Sequence, residues 1–164
     1  MEIGIRRPER NSTPAKIYGK IPPDISSASF TLFLPPLKAA MDPHSVEKVV
    51  QQQLDAYNAR NLDAWAATYA ADAQQFEYPD TLLAEGIAQI RERAAPRFTE
   101  SNLHAKLIKR SAVGNIVVDH EMVTRTFAEG AGQIELLCIY EIKNDRIQKA
   151  SFVFGAKTLM PDPA

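Results

Sequence analysis

Apolar residues first recur at helical spacing in residues 44–59, where valine and leucine side chains share one face with Tyr57, and Gln51, Gln52 and Asp55 face outward. Asn61 can cap a second helix, which carries Trp65 and Tyr69 on a common face before a polar stretch ends it. The first part of the pattern therefore predicts two amphipathic helices in succession.

A short strand and a third helix follow. Residues 75–78 are predicted to form a strand that Pro79 stops, because proline cannot donate a hydrogen bond to a neighbouring strand. Gly86 precedes the third helix, and Pro96 should kink or end it.

After residue 102 the period changes from helical to strand-like. Four segments rich in Val, Ile, Thr, Tyr and Phe are separated by short turns that contain Gly, Asn or Asp. They are residues 103–113, 116–127, 133–143 and 146–154. Helices followed by hairpin-linked strands predict an α+β fold, in which helices pack on one face of an antiparallel meander.

Residues 1–40 differ from the rest of the chain. They hold six of the eleven prolines and follow neither a helical nor a strand period, so we expect a disordered Pro-rich tail. Asp42 can cap a helix and Pro43 suits its first position, so Met41 is a candidate for the first residue of the native protein. In that case residues 1–40 would not be part of the native chain. The alternative is a partner-binding or targeting arm. Residues 41–160 are predicted to form a single domain.

The composition narrows the classes of function. The 164 residues carry a formal net charge of −1, which gives no electrostatic reason to expect nucleic acid or an anionic membrane as partner. One cysteine and three histidines form neither a disulfide framework nor a zinc spacing, and no Gly-rich phosphate loop occurs. The apolar stretches are shorter than the roughly 18–20 residues that span a bilayer. We expect a cytoplasmic protein with no metal and no cofactor.

Several motifs resemble one known superfamily. They are LDAYNARNLDAW at residues 54–65, YAADA at 69–73, a strand that ends at Tyr78-Pro79, Gly86 before a helix, and FVFG at 152–155. In this order they resemble the nuclear transport factor two-like superfamily, and most of all its SnoaL-like and ketosteroid isomerase-like branch. The resemblance implies a cone: a strongly curved antiparallel sheet wrapped around N-terminal helices, a cystatin-like α+β barrel with a blind apolar pocket.

The resemblance also implies three polar groups that this sequence lacks. Proteins like ketosteroid isomerase use a base Asp before a proline, with a Tyr and a protonated Asp as donors to the oxyanion. Tyr78, Gln53 and Cys138 stand at those positions here. The standard isomerase residues are therefore absent, and we expect negligible ketosteroid isomerase activity.

The same resemblance and the strand alternation predict which side chains line the pocket. The expected ligand-binding residues are Tyr57, Trp65, Tyr69, Cys138, Tyr140, Phe152 and Phe154. The alternative is that these side chains form only a core. Because β-strand residues 136–140 are apolar on both faces, the outer face of the sheet needs a cover, and we expect a homodimer.

Candidate catalytic residues cluster on one strand. Asp119, Glu121 and Arg125 share a face, and His120 lies on the opposite one. If Glu121 faces the pocket, burial raises its pKa toward that of a general base. The alternative is an ion pair with Arg125 on the solvent face or the dimer face of the sheet. His120 is a second acid–base candidate or a structural residue.

Tyr78 is the third candidate, as a hydrogen-bond donor at the pocket mouth or as a packed aromatic ring. These residues favour a protein that binds a small, largely apolar metabolite, with cofactor-free acid–base chemistry of the isomerase, cyclase or dehydratase type. The alternative is a non-catalytic ligand-binding or dimerisation module.

Overall fold

The computed structural model describes residues 43–161, in which three helices pack on a curved, unclosed sheet of six strands. The predicted tail, residues 1–40, lies outside the described residues. The helices are α1 (Pro43–Asn58), α2 (Leu62–Ala66) and α3 (Gly86–Phe98). The strands are β1 (Tyr69–Glu77), β2 (Thr81–Glu85), β3 (His104–Val113), β4 (Ile116–Phe127), β5 (Gly130–Lys143) and β6 (Arg146–Leu159).

The predicted four-strand meander is present as β3 to β6, and the α+β class is confirmed. The strand order across the sheet is β2-β1-β6-β5-β4-β3. The first strand lies parallel to β6, whereas every other neighbouring pair is antiparallel. The sheet is therefore mixed, and β1 and β2 extend the meander at the edge formed by β6.

The predicted second helix is much shorter than its apolar pattern indicates. Asn61 caps it as expected, since its side-chain oxygen accepts a hydrogen bond from the backbone N–H of Ala64. The helix nevertheless ends at Ala66, and Tyr69 already belongs to β1. The backbone N–H of Ile147 donates to Thr68 O over 2.9 Å, so pairing with β6 replaces helical hydrogen bonds at this point.

Two other boundaries differ from the prediction. The third helix continues two residues beyond Pro96 and ends where the Thr99 hydroxyl donates to the carbonyl of Pro96. The fifth strand begins at Gly130 rather than at residue 133. A Cβ on Gly132 would lie 2.6 Å from the carbonyl oxygen of Thr158, so the close approach of β6 requires glycine there.

The hydrophobic core lies between the helices and one face of the sheet, which we call the inner face. Val46 and Val50 of α1 and Ile90 of α3 are fully buried against inner-face residues such as Tyr140 and Ile147. Within residues 43–161, no helix is long and apolar enough to span a membrane.

Candidate functional site

A cavity lies between the helices and the inner face of the sheet. The helices line it with Gln53, Leu54, Tyr57, Trp65, Arg93, Ala94, Arg97 and Phe98. The strands line it with Tyr69, Gln75, Glu121, Val123, Leu136, Cys138, Tyr140, Phe152 and Phe154. Most of these side chains are apolar, with a few polar groups among them, as is typical of small-molecule sites.

Helical spacing brings the lining residues of α1 and α3 to the cavity. Gln53 and Tyr57 are one turn apart on α1, and Arg93 and Arg97 are one turn apart on α3. Residues four positions apart share a helix face, so each helix presents two long polar or aromatic side chains to the same space.

An aromatic wall closes one side of the cavity. The ring of Trp65 lies 4.8 Å from that of Tyr69 and 5.3 Å from that of Phe98, measured between centroids. Tyr57 meets Phe98 edge to face at 5.4 Å. These distances are typical of favourable aromatic pairs, which hold the wall in place.

Glu121 is the carboxylate in this apolar setting. It is only 5% exposed, and its Oε1 is buried without a hydrogen-bond partner among the described residues. Its Oε2 lies 3.8 Å from the Sγ of Cys138, a weak donor. Burial and, to a lesser degree, the charge of Asp119 raise the pKa of Glu121 from 4.5 to about 7. At neutral pH this carboxyl group can therefore both accept and donate a proton.

A buried ion pair lies beside Glu121 on the inner face. Asp119 is fully buried and accepts two hydrogen bonds from Arg110, over 2.7 Å and 2.6 Å. Arg110 also donates to Gln51 over 2.8 Å. The charge of Arg110 lowers the pKa of Glu121 only slightly. Burial and the charge of Asp119 raise this pKa by more.

The alternative of a solvent-facing pair between Glu121 and Arg125 is wrong. Both residues do lie on one face of β4, but that face is the inner one. Arg125 pairs instead with Glu100, with 3.3 Å between Nη2 and Oε1. The loop after α3 thus supplies the partner, and Glu121 keeps no cation in hydrogen-bond contact among residues 43–161.

Other polar groups surround the aromatic wall. Gln75 is 1% exposed and accepts a hydrogen bond from Arg93 over 3.2 Å. The Tyr69 hydroxyl and the Trp65 Nε1 are buried without a partner in the part of the chain that the structure describes. Burial raises the pKa of the Tyr57 hydroxyl to about 12, so this group stays protonated and can donate.

Comparison with known proteins identifies the family. Residues 50–150 match the SnoaL-like domain. The chain belongs to the SnoaL-like family. No curated protein matches the sequence.

Solved structures with the same fold are distant in sequence. A cystatin-fold protein from Novosphingobium aromaticivorans is 23% identical, with a TM-score of 0.60 over 66% of this chain and 97% of its own. The epoxide hydrolase/cyclase-like enzyme SalBIII, from pyran ring formation in salinomycin, is 16% identical, with a TM-score of 0.63 over 70% and 93%. An M. tuberculosis LEH-like epoxide hydrolase is 14% identical, with a TM-score of 0.59 over 68% and 84%.

The structure places the seven expected ligand-binding residues of this SnoaL-like protein around the cavity, together with Glu121. It does not bring the other two catalytic candidates there. His120 lies on the outer face of the sheet, where its Nε2 is 2.6 Å from Oε1 of Glu135. Tyr78 is 57% exposed and lines a separate hollow, because β1 ends at Glu77 and the chain turns away.

Three polar lining residues escaped the sequence prediction: Gln75, Arg93 and Arg97. The two arginines share a helix face with the apolar residues Ile90 and Ala94 of α3, and this spacing was the sequence signal that could have placed them toward the core. Helical spacing could show that they face inward but not that a cavity opens beside them. Among the described residues, no group of three or more His, Cys, Asp or Glu side chains is placed to hold a metal ion.

Proposed function

We propose that this SnoaL-like protein binds a small, largely apolar metabolite in the cavity and moves a proton on it without a cofactor, with Glu121 as the acid–base residue. The observation that carries the proposal is the carboxylate oxygen Oε1 of Glu121, buried at the cavity without a protein partner. A buried acceptor left without a hydrogen bond is costly, so its retention favours a role toward a ligand.

The reaction would begin with removal of a proton from a carbon next to a carbonyl group. The carboxylate of Glu121 takes this proton, and the electron pair moves toward the carbonyl oxygen. The hydroxyls of Tyr57 and Tyr69 are candidate donors to that oxygen, since burial raises the pKa of both and keeps them protonated. Glu121, now a carboxylic acid, returns the proton to another carbon, to the alkoxide oxygen that forms when the enolate carbon closes a ring on a second carbonyl group, or to a leaving hydroxyl group.

These alternatives correspond to isomerisation, to a ring closure that consumes the enolate, and to dehydration. The aromatic wall supports an apolar ligand, because Trp65 and Phe98 offer apolar surface and no charge. Which product forms depends on the ligand, and Glu121 serves all three.

The test is hydrogen–deuterium exchange at the α-carbon of small cyclic ketones, led by 1-tetralone, followed by proton NMR in D₂O. We expect protein-dependent exchange near neutral pH, and a loss of about 100-fold or more in Glu121→Gln. Glu135→Gln is the matched control, since Glu135 lies on the outer face of the same sheet. Equal exchange in Glu121→Gln and the unaltered protein would contradict the assignment.

A non-catalytic ligand-binding module is the second candidate. It is favoured by the presence of a single carboxylate, Glu121, among the cavity-lining residues that the structure describes. A ketone that quenches Trp65 fluorescence on binding, yet exchanges no faster with protein than without it, would decide for this alternative.

We also propose that the protein is a homodimer. The outer face of the sheet exposes Leu137 and Val153, which are 36% and 37% accessible on neighbouring strands. A second copy would cover this apolar surface. Sedimentation at micromolar concentration should show a dimer, and a monomer would contradict the proposal.

A further inference from the structure

Two cavity-lining arginines differ from their neighbours in having no carboxylate partner. Arg93 and Arg97 face the cavity from α3 and form no ion pair among residues 43–161. In contrast, Arg91 pairs with Asp63, Arg110 with Asp119 and Arg125 with Glu100. Arg110 and Arg125 are thus neutralised by carboxylates, whereas the two arginines that line the cavity from α3 are not.

The contacts of these two arginines are weak for their burial. Arg93 is partly buried, and within residues 43–161 its Nη1 donates only to the neutral amide oxygen of Gln75, over 3.2 Å. The Nε of Arg97 is buried without a hydrogen-bond partner among the described residues, and the guanidinium's other contact is a hydrogen bond with the neutral Tyr57 hydroxyl. A partly desolvated guanidinium without an anion is costly, and its planar fork of N–H donors matches a carboxylate.

We propose that Arg93 and Arg97 bind a carboxylate group of the ligand, so that the cavity takes small apolar carboxylates. This inference rests on the proposed ligand-binding role of the cavity and names the class of ligand. Each arginine can offer N–H donors to the two oxygens of a single carboxylate, because the side chains project from one face of α3, one turn apart.

Electrostatics support this position for the anion. Burial, and then the nearby charge of Arg97, lower the pKa of Arg93, and the negative charge of a bound carboxylate would oppose both effects. The Tyr57 hydroxyl forms a hydrogen bond with Arg97 and feels the charges of Arg97, Arg125 and Glu121. A ligand held by its carboxylate at α3 would occupy the cavity that Tyr57 and Glu121 also line.

The experiment compares three probes that share a cyclohexyl ring: cyclohexanecarboxylate, cyclohexanecarboxamide and cyclohexyl phosphate. Binding is followed at pH 7.5 by calorimetry and by the fluorescence of Trp65, the single tryptophan of the chain. We expect the carboxylate to bind about tenfold or more tightly than the amide, as hydrogen bonds to charged groups do.

Substitutions test whether Arg93 and Arg97 cause the preference for the carboxylate over the amide. Arg93→Gln and Arg97→Gln should each weaken carboxylate binding about tenfold and change amide binding less than about threefold. Arg91→Gln is the matched control, because Arg91 lies on the same helix but pairs with Asp63 outside this cavity. Arg97→Lys keeps the charge without the fork and should recover part of the affinity. Melting curves verify that each variant folds.

Equal binding of the acid and the amide, tighter binding of the phosphate, or unchanged carboxylate binding in both Gln variants would overturn the proposal. Failure of the proposed chemistry gives a different result. If carboxylates bind through the arginines but Glu121→Gln exchanges α-protons as fast as the unaltered protein, this inference stands and the acid–base role falls. If instead Glu121→Gln loses the exchange but carboxylates do not bind through the arginines, Glu121 remains the acid–base residue and the carboxylate-binding role of Arg93 and Arg97 falls.

Discussion

Glu121 and Glu135 are carboxylates on neighbouring strands of one sheet, and they differ in almost every physical respect. In the β4–β5 register Glu121 pairs with Leu136 and Met122 pairs with Glu135, so the two residues are one position apart. Glu121 points to the inner face and is 5% exposed. The Glu135 side chain is 48% exposed on the outer face, where it meets His120.

The difference teaches that the face of the sheet, and not the residue type, decides what a carboxyl group does here. Burial raises the pKa of Glu121 to about 7, whereas water solvates Glu135. The same alternation separates the adjacent residues His120 and Glu121. The inner face holds polar groups at an energetic cost, and the outer face holds them at little cost.

The largest expected effect is on the inner face, at the buried pair of Arg110 and Asp119. Arg110→Met should lower the free energy of unfolding by about 3–5 kcal/mol, because it leaves the fully buried Asp119 without a partner. The double variant Arg110→Met with Asp119→Leu should recover most of that loss, since no unpaired charge remains. Urea denaturation measures both. A loss below about 1 kcal/mol in the single variant would show that water reaches Asp119.

Glu121 should make the stability depend on pH in a direction opposite to that of an ordinary carboxylate. Its pKa is raised to about 7 from 4.5, so the folded protein holds a proton that the unfolded chain has released between these values. Stability is therefore lost as the pH rises from about 4.5 to about 7, and the full cost, about 3 kcal/mol, persists above that range.

Glu121→Gln removes this titration. The variant should match the unaltered protein in stability near pH 4.5 and exceed it by up to about 3 kcal/mol at pH 8. Denaturation series at both pH values, with Glu135→Gln as the outer-face control, measure the difference. A constant difference between the two pH values would mean that Glu121 has no raised pKa.

The fold was predictable because its signals are local and repeated. Alternation and turn residues located the four long strands, and Asn144 and Asp145 indeed form the turn between β5 and β6 with positive φ angles. Tyr69 and β2 were missed for a common reason. Leu82, Leu83 and Ala84 carry no strong strand preference, and their pairing with β1, which contains a bulge, decides that they form a strand. Tyr69 belongs to a strand because it pairs with Ile147 of β6, which is distant in sequence.

The site was only partly predictable, because alternation groups residues by face without saying which face is buried. Both faces of β4 carry apolar side chains, Val117 and Val123 on one and Val118 and Met122 on the other. Nothing local distinguishes the pair of Glu121 and Arg125 from a solvated ion pair. Glu100, which pairs with Arg125 in place of Glu121, lies 25 residues from Arg125 in the sequence. The two residues become neighbours only in the fold.

The smallest expected effect is at the outer-face pair of His120 and Glu135, despite its short contact of 2.6 Å. Their side chains are 34% and 48% exposed, so water competes for both groups and holding them in one geometry costs side-chain entropy. A double-mutant cycle with His120→Gln and Glu135→Gln should give a coupling below about 1 kcal/mol, and added salt should reduce it. A coupling as large as that expected for Arg110 and Asp119 would show that this face is buried in the assembled protein. In that case the proposed second copy would cover the pair, and dilution below the dimer dissociation constant should restore the small value.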